Sequence, residues 1–483
     1  MAANPSADTA PASRVLEAIR TDLPSRLDRL PWGSFHWLVV LALGASWAID
    51  GLEVTLTGAV SGVLQDPATL GLNAARIGAL GSAYLLGAVT GALVCGYLTD
   101  RYGRSRLFFA TLSVYLGGTL TSFSWDFWSM AAFRWITDFG IGGEYAAINE
   151  LIPARVRGTV NLFINGSYWV GASAGSAATL LLLDPNLLPI DFEWRLGFGI
   201  GAVLGLFVLA ARRHVPESPR WLIVHGQHSR AQHIVRAIES RLPRLPVPQP
   251  AAELLTIRPR THVGIGLVIR TMFRDYPRRS VLGLVLITSQ AFLYNAIFFT
   301  YALVLTRFYG VRAEATGLYL LPFALANFLG PLALAWLFDR LGRRVMISTT
   351  YAVSAVLLLG TGALFAQGSL TAYGQTALWG AIFFFASAAA SSAYLTVSGI
   401  FPLELRAMAI GVFYSLGTAA RGVLAPWLFG ELIGSGSRAS VFVGYARGAA
   451  LMLVAAGVEA WIGIDAERTS LERIAPPLSA VVR

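Results

Sequence analysis

Gly96-Tyr97-Leu98-Thr99-Asp100-Arg101-Tyr102-Gly103-Arg104 recurs as Trp336-Leu337-Phe338-Asp339-Arg340-Leu341-Gly342-Arg343-Arg344. Each copy closes one long apolar run and opens the next. A second pair lies further on: Glu150-Leu151-Ile152-Pro153-Ala154-Arg155-Val156-Arg157-Gly158 is matched by Phe401-Pro402-Leu403-Glu404-Leu405-Arg406. The pairs fall two and four runs into each half, so the second half repeats the first. Glycine permits a tight turn where side chains would clash. An aspartate ending one helix can pair with arginines starting the next, and a few such pairs between halves can hold one conformation shut. On that reading the gating residues are Gly96, Asp100, Arg101, Gly103, Arg104, Glu150, Arg157, Asp339, Arg340, Gly342, Arg343 and Arg406. The plainer reading is that these charges anchor loops and set topology.

Outward from the motifs, runs of about 20 apolar residues, the length that crosses a bilayer, number twelve. They lie near 37–60, 76–98, 106–124, 128–150, 159–183 and 194–212, then 280–305, 313–337, 345–366, 373–400, 407–433 and 439–463. Of the 483 residues 55% are hydrophobic and 13% charged, about half the charge of a soluble domain. The expected fold is an all-α membrane protein, with twelve transmembrane helices in two six-helix pseudo-repeats. Residues 1–36 form an N-terminal segment with an amphipathic helix, 37–212 the first bundle and 213–279 a central loop with short helices. The second bundle is 280–466 and the tail 467–483.

Every basic residue is arginine, 37 in all. With both termini in the cytoplasm, the outer loops hold only Arg76, Arg195, Arg307, Arg312 and Arg438, and the spans only Arg134, Arg421 and Arg447. The remainder are cytoplasmic, a positive-inside pattern that accounts for the net charge of +10 by proximity to anionic lipid rather than nucleic acid. Residues 1–36 lack the pattern of a cleavable signal peptide. Val15, Leu16, Ile19, Leu23, Leu27 and Leu30 read as a short helix on the membrane surface, broken at Pro24. The lone cysteine, Cys95, can form no intrachain disulfide. No histidine falls in a span; those of the central loop read as solvated. A chain without lysine has no phosphate-binding G-x-x-x-x-G-K-S/T loop, and no H-E-x-x-H, G-x-S-x-G or metal-ligand cluster occurs. Neither an enzyme nor a cofactor or metal is expected. The expected partners are a small molecule, protons and the bilayer, for a monomer in a bacterial inner membrane.

Ionisable groups within spans are costly, about 2.5–3.5 kcal/mol on insertion scales, and become candidate sites. Asp50 and Glu53 lie three apart, which puts both on one face of the first span. Two carboxylates in low dielectric resist joint ionisation, which suits proton coupling; the alternative is a structural pair. Arg134 and Asp138 can pair along the fourth span. Arg421 has no carboxylate within four residues, and its planar fork suits a substrate carboxylate; alternatively it pairs with Asp50 or Glu53. Arg447 and Glu459 receive no role. In the seventh span Tyr294 beside Asn295 suits a small ring-bearing ligand.

At this point the chain resembles the major facilitator superfamily. The resemblance rests on the two D-R-x-G-R motifs and on Pro216-Glu217-Ser218-Pro219-Arg220-Trp221-Leu222 after the sixth span, and covers roughly 30–465. More narrowly it is similar to sugar porters and metabolite:proton symporters. Arg134 with Gly140-Ile141-Gly142-Gly143-Glu144 resembles their fourth-helix signature, where Asp138 is a departure from glycine. Asp50-Gly51-Leu52-Glu53 resembles the signature of aromatic-acid:proton symporters. Gln290 and Asn295 resemble the sugar-contacting pair of sugar porters, although Ser289 and Gly399 depart from that pattern. An arginine in the eleventh helix, here Arg421, resembles organic-anion transporters. Parallel six-helix repeats imply a substrate site between the halves near the midplane. The resemblance implies alternating access by a proton-coupled symporter of a small organic acid, aromatic acids included. The substrate-binding set is then Arg421, Gln290, Asn295, Tyr294 and Arg134. The alternatives are a sugar or polyol symporter and, in another class, a non-transporting nutrient sensor.

Overall fold

Lipid offers no partners to open backbone groups, so apolar runs of this length become helices. The computed structural model describes residues 18–60, 63–141, 150–182, 187–212, 215–242, 254–258, 264–298, 300–311, 316–422 and 424–480. The first six spans are Ser34–Val60, Ala74–Tyr102, Arg104–Gly118 continued by a tighter turn at Thr119–Phe123, Phe127–Ile141, Arg157–Leu182 and Ile190–Arg212. The seventh is in two pieces, Pro277–Phe298 and Tyr301–Tyr309. The eighth, ninth and tenth are Thr316–Arg340, Arg343–Ala366 and Ala372–Ile400. The eleventh is described over Arg406–Gly422 and Leu424–Gly434, and the twelfth is Arg438–Ile462. Gly142, Gly143 and Glu144 of the fourth-span signature lie outside the described residues.

Side-chain caps fix several helix starts. Asn73 accepts from the Arg76 amide at 2.9 Å, Thr371 from Gly374 at 3.1 Å and Ser437 from Ser440 at 3.2 Å, each satisfying an orphan donor of the first turn. Within each half, the first span packs on the fifth, the second on the fourth, the eighth on the tenth and the ninth on the twelfth. Between halves, the second meets the eleventh and the fifth meets the eighth. The second and eleventh touch backbone to backbone: a Cβ on Gly96 would stand 3.0 Å from the Ala407 carbonyl, and one on Gly411 would strike the Ala92 carbonyl.

The motif turns have the geometry that glycine was expected to supply. Gly103 has φ 107° and ψ 159°, and Gly342 φ 99° and ψ 145°, a region closed to residues with a Cβ. A Cβ on Gly103 would also enter the Glu217 carboxylate.

The amphipathic stripe near the N-terminus is covered by protein. Residues 1–17 are outside the described set, and the helix runs Leu23–Arg29 with Pro24 in its first turn. There the missing N–H costs nothing, so Pro24 opens the helix instead of breaking it. Leu23, Leu27 and Leu30 pack in one apolar cluster with Leu222, Ile223, Val235 and Ile238 of two central-loop helices, Pro219–Val224 and His228–Glu239. A small feature went unforeseen: Ile19–Thr21 pairs antiparallel with Leu255–Ile257, and Ala480 of the tail bridges to Ile257.

Gly103→Ala and Gly342→Ala should each destabilise the protein by about 1–3 kcal/mol, read as a lower melting temperature in detergent. Gly81→Ala, at a helical position where a Cβ meets nothing within 4 Å, should not destabilise it. Equal melting of all three would refute the turn argument.

Candidate functional site

A cavity of about 210 Å³ lies between the halves, walled by the first, second, fifth, seventh, tenth and eleventh spans. Eight aromatic side chains face it: Trp47, Tyr84, Tyr168, Trp169, Tyr294, Phe298, Tyr394 and Tyr414. They brace one another, Trp169 tilted against Tyr294 at 5.9 Å and edge-on to Phe298 at 5.7 Å, with Trp47 edge-on to Tyr394 at 6.4 Å. Gln290, Tyr294 and Asn295 all line it, as does Asn165. The Tyr294 hydroxyl donates to Asn327 Oδ1 at 2.9 Å. Asn165 donates to the Asn161 carbonyl at 2.9 Å, and its own Oδ1 has no hydrogen-bond partner among the described residues. Among the candidates these three of the seventh span and Asp50 are brought together.

Asp50 is the one charged side chain among the described residues of the wall. The Tyr84 hydroxyl donates to its Oδ1 at 3.4 Å. Glu53 is not in the cavity. Three residues rotate a helix by about 300°, leaving the two carboxylates roughly 60° apart, and the first span presents Asp50 to the cavity and Glu53 to its neighbours. Glu53 is 1% exposed; its Oε2 stands 3.9 Å from Arg134 Nη1, and a Cβ on Gly201 of the sixth span would lie 3.2 Å from its Oε1. Arg134 also lies one layer behind the wall, its guanidinium 4.8 Å over the Tyr84 ring and 5.3 Å over Phe198. Its ion pair is with Glu53 rather than the expected Asp138, although Asp138 is buried in the same cluster within reach of both Arg134 and Tyr84. Arg421 lies on the eleventh span, and its side chain is outside what the structure describes.

The arginine-rich end is closed by acids that cap helix starts. Asp100, ending the second span, accepts from the amides of Met408 at 2.9 Å and Ala407 at 3.3 Å, across the halves. Asp339, ending the eighth, accepts from the Thr159 amide at 2.8 Å and its hydroxyl at 2.7 Å. A Cβ on Gly158 would crowd Asp339 Oδ1 at 2.6 Å. Glu217 of the P-E-S-P-R-W-L motif caps the third span through Arg104 N at 2.8 Å, and Glu467 meets Arg343 N, opening the ninth, at 3.4 Å.

Arginines knit these acids together. Arg104 pairs with Asp100 at 2.5 Å and Glu150 at 3.0 Å, and Arg406 reaches the same Glu150 at 3.8 Å from the other half. Arg157 pairs with Asp28 at 2.5 Å. Arg220 pairs with Asp28 at 2.9 Å and with Glu472 of the tail at 2.7 Å. Arg101 and Arg340 stand apart from this network: both are exposed and lie over the rings of Tyr102 and Trp336 at 5.3 and 4.8 Å. The central-loop histidines are not all solvated. His225 stacks on Trp221 at 4.0 Å, and burial lowers its pKa.

A model of the family described as sugar (and other) transporter matches residues 51–461. The chain belongs to that family. It is similar to the niacin transporter NiaP of Acinetobacter baylyi, 26% identical over 417 residues, covering 84% of this chain and 89% of that one. It is also similar to a probable 4-methylmuconolactone transporter of Cupriavidus pinatubonensis, 28% identical over 387 residues, 77% and 78% of the two chains. Among solved structures, the proton:xylose symporter XylE of the major facilitator superfamily, bound to 6-bromo-6-deoxy-D-glucose, superposes with a TM-score of 0.73 at 17% identity, covering 91% of this chain and 98% of that one. The fold is thus the twelve-helix major facilitator fold, and the protein a multi-pass membrane transporter.

Sequence reading missed Trp47, Tyr84, Tyr168, Trp169, Asn165, Tyr394 and Tyr414. Their signal was available: Tyr and Trp gather at membrane interfaces, so rings in mid-span are out of place unless they face a cavity or pack in a core.

Removing a cap should loosen the closed end. Asp100→Asn should raise the labelling of cysteines introduced at the second–eleventh seam about tenfold, the scale of a lost charge-assisted hydrogen bond. An unchanged labelling rate would show that these charges only anchor loops.

Proposed function

We propose that this transporter is a proton-coupled symporter of a small, ring-bearing organic acid, working by alternating access. The observation that carries the reading is the aromatic wall with a single carboxylate, Asp50, set into it beside Tyr84. Stacked rings and edge contacts recognise a flat ring, while Gln290, Asn295 and Asn165 supply hydrogen bonds around it.

The coupling follows from charge balance. Glu53 pairs with Arg134, and Asp138 lies within electrostatic reach of Asp50, Glu53 and Arg134, in a cluster buried in the bundle. Neighbouring carboxylates in low dielectric resist joint ionisation, so the cluster takes up protons, and Asp50, facing the cavity, is where a proton enters and leaves with the substrate. Arg134 and Glu53 hold the cluster together from behind. Arg421 falls seven and three residues along the eleventh helix from Tyr414 and Thr418, spacings that return to the same helical face, and is the cation for the substrate carboxylate. Niacin, a pyridine ring with one carboxylate, is the named cargo of a relative and fits this chemistry. Positive-inside asymmetry supports a cytoplasmic side for the arginine-rich end and both termini, in a bacterial inner membrane. Its capped helix starts are then the inner gate of a monomeric carrier. The first bundle, 37–212, and the second, 280–466, rock as units about the cavity.

A second reading, a sugar or polyol symporter, is favoured by one observation: Gln290 and Asn295 both line the cavity.

Uptake into proteoliposomes under an inward proton gradient decides between them. Aromatic acids should accumulate and neutral hexoses should not; the reverse would move the site to Gln290 and Asn295. Asp50→Asn should abolish gradient-driven accumulation while keeping substrate exchange, and full accumulation by this variant would end the coupling argument. Arg421→Leu should raise the KM for an acid by about tenfold or more; an unchanged KM would remove Arg421 from the site.

A further inference from the structure

The internal repeat makes the two halves of the closed end comparable position by position, and they are not equal. In the first half, Arg104 opens the third span and is held twice: Nη1 meets Asp100 one turn before it at 2.5 Å, and Nε donates to Glu150 at 3.0 Å. Glu150 stands three residues before Pro153. In the second half, Arg343 opens the ninth span after the same kind of glycine turn. Its aspartate, Asp339, accepts from Thr159 and, with Glu467, acts on the Arg343 guanidinium only through space, without a close ion pair among the described residues. Three residues before Pro402, where the repeat of Glu150 would fall, stands Gly399.

Arg343 is 2% exposed, and its Nε and Nη2 have no hydrogen-bond partner among the described residues. Those two nitrogens form the edge of a guanidinium that grips a carboxylate side-on. A Cβ built on Gly399 would meet nothing closer than Arg343 Nη1 and Leu471 Cδ2, both at 3.9 Å. The position therefore has room for the start of a side chain and points it toward the guanidinium.

We propose that Gly399 makes Arg343 the weak member of the closing network and thereby sets how readily the arginine-rich end parts. A carboxylate at 399 would complete the second copy of the Arg104–Glu150 pair and hold that end shut. Gly399 and Arg343 are positioning residues: they touch no cargo and act on the opening of the gate. A carrier must open this end in every cycle, and a fully paired second half would slow that step. The inference rests on the alternating-access reading above.

The test uses full-length protein in proteoliposomes, with Cys95→Ala removing the native thiol and Met408→Cys reporting on the seam. A maleimide labels that cysteine when the end parts. Gly399→Glu should lower the labelling rate about tenfold, the scale of one charge-assisted pair, and slow substrate exchange without raising KM. Gly399→Gln, which adds the same bulk without charge, should change the rate less than about threefold. Equal effects of Glu and Gln, or none from Glu, would overturn the proposal. Should Gly399→Glu fail to fold, a second comparison decides: Arg104→Gln should raise labelling about tenfold and Arg343→Gln by less than about threefold. Equal opening by both would overturn the asymmetry. No opening by Arg104→Gln would instead remove the gate reading on which the inference stands.

Discussion

The structure depends on carboxylates from one half capping helix starts in the other. A helix leaves its first amides without partners, and those amides carry a partial positive charge that favours an anion. Asp100 takes the amides that open the eleventh span, and Asp339 takes the amide near the start of the fifth. Each bond joins two rigid bodies end to end, so their sum closes one mouth of the bundle. Each is also a hydrogen bond to backbone, a kind that water can replace. A packed apolar seam at the same place would shut the mouth but would not release it as readily.

The turn glycines and the acids explain one another. Gly103 and Gly342 bring each span back beside its predecessor through a positive φ that residues with a Cβ rarely adopt. Glu217 and Glu467 then reach the starts of the third and ninth spans. Helices of the central loop and the tail carry further partners, Arg220 and Glu472, to the same place. Extramembrane segments therefore belong to the closure.

With one end sealed, polar groups in the middle of the bundle must face one another or a cavity. The first span divides its two carboxylates between these fates. Asp50 goes to the aromatic cavity and Glu53 to Arg134. Tyr84 stands between the layers, donating to Asp50 on one side and lying under the Arg134 guanidinium on the other.

Length, apolar runs and the repeated motifs were enough to determine twelve helices in two related halves, because lipid leaves the backbone no other economical form. The same motifs supplied Asp100, Arg104, Glu150 and Asp339, which meet at one end of the bundle, and also Arg101 and Arg340, which stand apart from them. Sequence did not determine which charges pair. Arg101 and Arg104 look alike in the motif, yet one stacks in the open on Tyr102 and the other is buried between Asp100 and Glu150. Nor did it separate Asp50 from Glu53, or find the rings of Tyr84, Trp169 and Tyr394 around the cavity. Those outcomes turn on helix rotation and on which neighbour stands at each face. A rotation of some tens of degrees moves a side chain from cavity to core, and only packing against the other helices sets it.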